Sequence, residues 1–172
     1  MNEKVVLVDR EDKEIGIEEK IKAHEEGKLH RAFSIFVFNL KNELLIQKRA
    51  KSKYHSGGLW ANTCCGHPRP GEDILQAAHR RLKEDMGFDC DLKEIDTFIY
   101  KEKMPNGLYE HELDHVFIGY YNGKIDHNPK EVDEHKWINL KKLKEELEVK
   151  IEEFAVWFEP AFEIVIQAME DL

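Results

Sequence analysis

The densest chemistry in the chain is Asn62-Thr63-Cys64-Cys65-Gly66-His67-Pro68, where two thiols and an imidazole fall within a few residues. Neighbours on an extended backbone face opposite ways, so Cys64 and Cys65 cannot share one environment. A small buried core residue is the usual fate of a free cysteine, and Cys64 fits it better than Cys65. Downstream, Glu110-His111-Glu112 sets two carboxylates two residues apart, on one face of a strand. Upstream lie His24 and His30, far in sequence from His67. Three imidazoles and two carboxylates form a donor set for a first-row ion such as Zn²⁺ or Mn²⁺ rather than for Mg²⁺ or Ca²⁺ alone. The chain has nine histidines. His55, His79, His111, His115, His127 and His135 are assigned to solvent or to structural roles.

A second pattern starts at Gly66. Glu72 stands six residues on, seven residues intervene, and Arg80-Arg81-Leu82-Lys83-Glu84-Asp85-Met86-Gly87-Phe88 follows. This ungapped register resembles the Nudix box, with two departures: Arg81 replaces the first helix glutamate and Asp85 replaces the last. In Nudix hydrolases those helix carboxylates share one face and hold a divalent metal against a diphosphate. A guanidinium at 81 removes a metal ligand and supplies a fork that fits phosphate oxygens. The resemblance therefore implies a site that binds a diphosphate and cleaves it poorly. Outside this frame, Arg81 would read as an ordinary surface helix residue.

Taken together, the cysteine segment, His24 with His30, and Glu110-His111-Glu112 are similar to the type I isopentenyl-diphosphate Δ-isomerases, from Lys20 to the last helix. That resemblance implies one divalent ion (Mn, Zn or Mg) on His24, His30, His67, Glu110 and Glu112. It also implies a second Mg²⁺ between the substrate diphosphate and Asp85, which is one methylene shorter than the usual Glu. Cys65 matches the family's catalytic thiol, Glu112 its carboxyl acid on the opposite face, and Tyr100 the phenol that hydrogen-bonds the acid. Lys20, Arg49, Lys53 and Arg81 match its phosphate contacts. Trp157 matches the tryptophan that stacks on the isoprenoid cation, although Ala155-Val156-Trp157-Phe158 lacks the expected Thr/Ser-Pro-Trp pattern. The implied reaction turns isopentenyl diphosphate into dimethylallyl diphosphate, a small-molecule prenyl diphosphate chemistry with no flavin. A Nudix hydrolase of a nucleoside or other diphosphate is the alternative. It would want a glutamate at 81 and gives Cys65 and His67 no task. A Nudix module retired from catalysis is the third reading.

These groups need a scaffold. Residues 73–86 predict a helix, with Ile74, Ala78, Leu82 and Met86 at every fourth position, Asp73 as its cap and Gly87 at its end. Residues 18–26 also read as helical. Residues 32–38 and 44–46 read as two strands joined by a tight turn, and residues 48–58 as a basic loop. A long hairpin is expected over 95–121 and a last strand at 136–138. Two helical patterns close the chain, the second with Phe154, Trp157, Ala161, Ile164, Val165 and Ala168 on one face. The expected fold class is α/β (α+β), a Nudix-like mixed β-sheet flanked by α-helices, with residues 1–172 as a single domain. A formal charge of −9 disfavours nucleic acid as a partner. No apolar run approaches the roughly 20 residues of a membrane span. Three cysteines and a charged start without an apolar signal core point to a reduced, cytoplasmic protein. The sequence leaves the oligomeric state open.

Overall fold

In the computed structural model, which describes residues 3–53 and 55–171, the strands of the described residues form a nine-stranded mixed sheet. In chain order the elements are β1 (Lys4–Val8), β2 (Glu14–Glu19), α1 (Lys20–Glu26), β3 (His30–Phe38), β4 (Leu44–Arg49), β5 (Trp60–Ala61) and β6 (Cys64–Gly66). There follow α2 (Ile74–Met86), β7 (Leu92–Lys103), β8 (Tyr109–Tyr120), β9 (Val132–Ile138), α3 (Leu140–Val149) and α4 (Phe158–Glu170).

The centre of the sheet is β3. It runs parallel to β8 from His30↔Glu112 to Phe38↔Tyr120, and β6 joins it antiparallel with Ser34 opposite Cys65. The expected β3–β4 hairpin exists only at its root. Phe38 pairs with Leu44, after which β4 leaves to pair with β9 along Leu44–Arg49. Both faces of β3 are apolar over its second half, so it belongs in the middle of a sheet covered on both sides. Phe36 and Phe38 pack with Leu44 and Ile46 against Leu143, Phe158, Phe162 and Val165 of α3 and α4. On the other side Phe33, Ile35, Val37 and Leu45 meet Ala77, Ala78, Leu82 and Met86 of α2.

Helix α2 forms where the sequence predicts it. Asp73 accepts hydrogen bonds from the backbone N–H groups of Leu75 and Gln76. Gly87 ends it at φ 73°, and a side chain there would also collide with the Asp126 carbonyl. Two boundaries differ from expectation. The charged run 18–26 divides, Glu18 and Glu19 pairing with β1 before α1 begins at Lys20. Likewise, Lys48 and Arg49 belong to β4 rather than to a loop. Among the described residues no helix is long and apolar enough to cross a membrane.

One face of the β3–β8 ribbon changes character along its length. Phe36 and Phe38, with Val116 and Ile118, lie in the core beneath α4. Further along the same face, at the two-residue spacing of a strand, come buried His30 and Ser34 on β3 and buried Glu110, Glu112 and Asp114 on β8. That end of the ribbon borders the functional cleft.

Candidate active site

A cleft of about 640 Å³ opens beside β3, with Cys65, His67, Tyr100, Glu112 and Trp157 in its walls, within the range of small-molecule sites. Next to it the ligand-capable atoms of His24, His30, His67 and Glu112 all lie within 4.8 Å of one another. Backbone carbonyls orient two of the rings. His24 Nδ1 stands 2.7 Å from the Lys20 oxygen and His30 Nδ1 2.9 Å from the Lys28 oxygen. A carbonyl only accepts, so each Nδ1 carries the proton and each Nε2 keeps its lone pair. Burial lowers the pKa of all three imidazoles, that of His30 to about 4, which makes them neutral donors at neutral pH. Among the described residues, buried His30 Nε2, His67 Nε2 and both Glu110 oxygens make no hydrogen bond of good geometry. Buried polar atoms left in this state suit a cation, so the residues present fit a divalent metal.

Glu110 stands apart from the group of four. It is fully buried, its Oε1 is 2.7 Å from His55 Nδ1, and burial together with the Glu112 charge pushes its pKa up. Glu112 reaches the cleft. Its Oε2 is 3.3 Å from His67 Nε2, and its Oε1 accepts from the Tyr100 hydroxyl at 3.0 Å. Burial and the neighbouring carboxylates raise the Tyr100 pKa well above the phenolic range, so the hydroxyl stays protonated.

The two adjacent thiols part as their strand geometry requires. Cys64 is fully buried with the α2 side chains, its Sγ 3.5 Å from Asp85. Cys65 lines the cleft on β6, and Arg49 Nη1 donates to its Sγ at 3.4 Å. Burial raises the Cys65 pKa to about 11 against the opposing Arg49 charge, so the resting group is a thiol. Gly66 is a close approach. A Cβ there would stand 3.0 Å from the Phe33 ring and 3.1 Å from Arg81 Cγ, and its absence lets the Arg81 side chain cross β6.

Lys20, Arg49, Lys53 and Arg81 all line the cleft. Arg81 is therefore no surface residue. Its guanidinium lies 2.9 Å from Asp85, 3.2 Å from Glu84 and 3.5 Å from Glu131. Lys53 pairs with Glu131, and Lys20 with Glu3 at 2.9 Å. Asp85 lies behind Arg81, buried, outside the cleft lining, and burial raises its pKa against the arginine. Trp157 precedes α4 instead of sharing its apolar face. Its Nε1 donates to Asn62 Oδ1 at 3.0 Å, which turns the ring toward the cleft, and the Arg49 guanidinium lies 5.0 Å from the ring centre.

Most of the remaining histidines do hold structure. His111 meets the Gly27 carbonyl at 2.9 Å, His79 pairs with Asp89, and His115 sits between Asp12 and Glu94. His55 departs from its solvent-or-structural assignment. It is buried in the cleft wall with its ring 5.5 Å from His24. Sequence reasoning also missed Glu131 and the Ser34–Asp114 hydrogen bond of 2.6 Å. Asp114 continues the two-residue period of Glu110 and Glu112 and was legible by that rule. Glu131 and His55 lie in loops, where no periodicity marks them.

A model of the NUDIX domain matches residues 28–158. The isopentenyl-diphosphate Delta-isomerase 2 of Photorhabdus laumondii is 54% identical over 92% of this chain and 89% of its own length. The enzyme of the same name from Aromatoleum aromaticum is 48% identical over 96% of this chain and 88% of its own. Among solved structures, a Deinococcus radiodurans protein superposes with a TM-score of 0.71 at 18% identity, covering 86% of this chain and 90% of that one. The MutT protein of Methanosarcina mazei gives 0.65 at 19% identity, over 78% and 91%. At such identities these two speak for the fold alone.

Proposed function

The chain belongs to the isopentenyl-diphosphate Delta-isomerases of the NUDIX family, and we propose that Cys65 and the Tyr100–Glu112 pair carry its proton transfers from opposite sides of the substrate. It converts isopentenyl diphosphate to dimethylallyl diphosphate in isoprenoid biosynthesis. A proton adds to the terminal carbon of the alkene and leaves a tertiary carbocation. A proton is then lost from the neighbouring methylene, whose C–H pair becomes the new double bond. No phosphate bond changes. Such chemistry needs an acid and a base across a flat substrate in a site that excludes water. What supports the assignment is that a half-buried thiol and a carboxylate bound by a phenol line one cleft.

The other roles follow from the same walls. Trp157 faces the cation with its ring, a contact worth about 2 kcal/mol when desolvated. Arg49, Arg81, Lys53 and Lys20 bind the diphosphate oxygens, the arginines by paired N–H groups. His24, His30, His67 and Glu112, with Glu110 beside them, hold one divalent ion, Mn, Zn or Mg. Bound there, it would fix the Glu112 carboxylate and lower its basicity. Asp85 would serve a second Mg²⁺ that arrives with the diphosphate. The chain acts as one domain over residues 1–172 on a small prenyl diphosphate, in a reducing cytoplasm that suits its free cysteines, without flavin, nucleic acid or membrane.

The test is an isomerase assay on Cys65→Ser and Glu112→Gln. Each is expected to lower kcat by about 10³-fold, at the scale of general acid–base catalysis, with an unchanged melting temperature. Turnover surviving both substitutions would remove these roles.

A further inference from the structure

Among the described residues, His55 is the one histidine lining the cleft that neither the metal group nor the proton-transfer residues account for. It is 7% exposed. Its Nδ1 stands 2.7 Å from Glu110 Oε1, its ring stacks 5.5 Å from His24, and its edge meets Trp157 at 5.8 Å. Arg49 Nη2 faces its backbone carbonyl at 3.4 Å. One imidazole thus touches a buried carboxylate beside the metal group, one of that group's own imidazoles, the tryptophan wall and a cleft arginine.

We propose that His55 is a positioning residue of the metal centre: its Nδ1–H fixes the Glu110 carboxylate so that the second oxygen is presented beside His24, His30, His67 and Glu112. The inference rests on the metal reading given above. Glu110 needs such a partner more than Glu112 does. Glu112 already has the Tyr100 hydroxyl and His67. The Glu110 carboxylate is fully buried, and His55 Nδ1 stands 2.7 Å from its Oε1, off the ideal hydrogen-bond angle. A carboxylate of that kind is free to rotate about its last torsion unless a neighbour selects one orientation. His55 comes from the loop after β4, the segment that also carries Lys53, so ordering of that loop is tied to the geometry of the metal centre.

The test measures metal affinity directly, with Mn²⁺ and Zn²⁺ in competition with a chelator, on wild type, His55→Leu and His55→Asn. Leu fills the volume without an N–H. Asn places its amide N–H close to where Nδ1 stands. Outer partners of metal ligands contribute about 10–100-fold in affinity, so His55→Leu is expected to bind that much more weakly and His55→Asn to stay within a few-fold of wild type. Should Leu prove unstable by circular dichroism, His55→Ala takes its place in the same comparison. Equal affinity in wild type and Leu, or equal loss in Leu and Asn, overturns the positioning role. A wild-type chain that binds neither ion overturns instead the metal reading on which it rests.

Discussion

Around Glu112 three imidazoles converge on one carboxylate, whereas around Arg81 three carboxylates surround one guanidinium. In the first region, the ligand-capable atoms of His24, His30, His67 and Glu112 all lie within 4.8 Å of one another. In the second, Glu84, Asp85 and Glu131 all stand within 3.5 Å of one guanidinium. Both regions reach the same cleft, one through His67 and Glu112 and the other through Arg81. The first collects a donor set that fits a divalent cation. The second is a guanidinium with carboxylates on three sides, which under the proposed function would exchange them for the oxygens of a diphosphate. Under the proposed function, a hydrolytic NUDIX site would put a carboxylate where Arg81 stands, and the guanidinium there would grip a diphosphate without cutting it.

The contrast can be broken from either side. The largest effect is expected from His30→Ala, which removes a ligand from the open cluster. Affinity for Mn²⁺ or Zn²⁺ should fall by more than about 100-fold, measured by chelator competition, with diphosphate binding less affected. Unchanged metal affinity would mean that the converging lone pairs are not a metal seat.

Arg81→Met should act in the opposite sense. Metal affinity at the histidine cluster should persist while KM rises about 10- to 100-fold, the loss of hydrogen bonds to a charged group. It should also destabilise the fold by about 2 kcal/mol at neutral pH, because Asp85 is left buried without its cation. Burial already raises the folded pKa of Asp85 above its unfolded value, and removal of Arg81 raises it further. Since the folded state then holds the proton more tightly, the penalty is complete above that raised pKa and disappears below the unfolded one. Urea unfolding from neutral toward acid pH should show the variant regaining stability relative to wild type. A constant difference would separate the destabilisation from Asp85.

The smallest effect belongs to Lys53→Met. Its pair with Glu131 is part-exposed, so stability should change by less than about 1 kcal/mol, with a few-fold rise in KM. A loss as large as that of Arg81→Met would show that the loop after β4, not the guanidinium, dominates phosphate binding.

Helix α2 was readable in full because its signals are local: the Asp73 cap, the fourfold apolar spacing and the Gly87 stop. The box register also marked Arg81 as a departure, and the structure places it in the cleft wall. Strand partners were less legible. Residues 32–38 and 44–46 look like a hairpin by composition, yet β3 chooses β8 and β6 for most of its length, a choice made by what covers its two faces. The convergence of His24, His30 and His67 comes from α1, β3 and the segment after β6, and only their resemblance to a known ligand set tied them together in sequence. His55 and Glu131 carry no such signal. Their place depends on how the loops after β4 and before β9 fold over the cleft.

Proton transfer across an olefin with the diphosphate left whole is read most directly by proton and phosphorus NMR of isopentenyl diphosphate with metal-loaded protein in deuterium oxide. The expected result is growth of dimethylallyl diphosphate with deuterium in the newly formed methyl group, while the two phosphorus signals persist and no orthophosphate appears. Orthophosphate release with the alkene unmoved, or isomerisation that places no deuterium in that methyl, would contradict it.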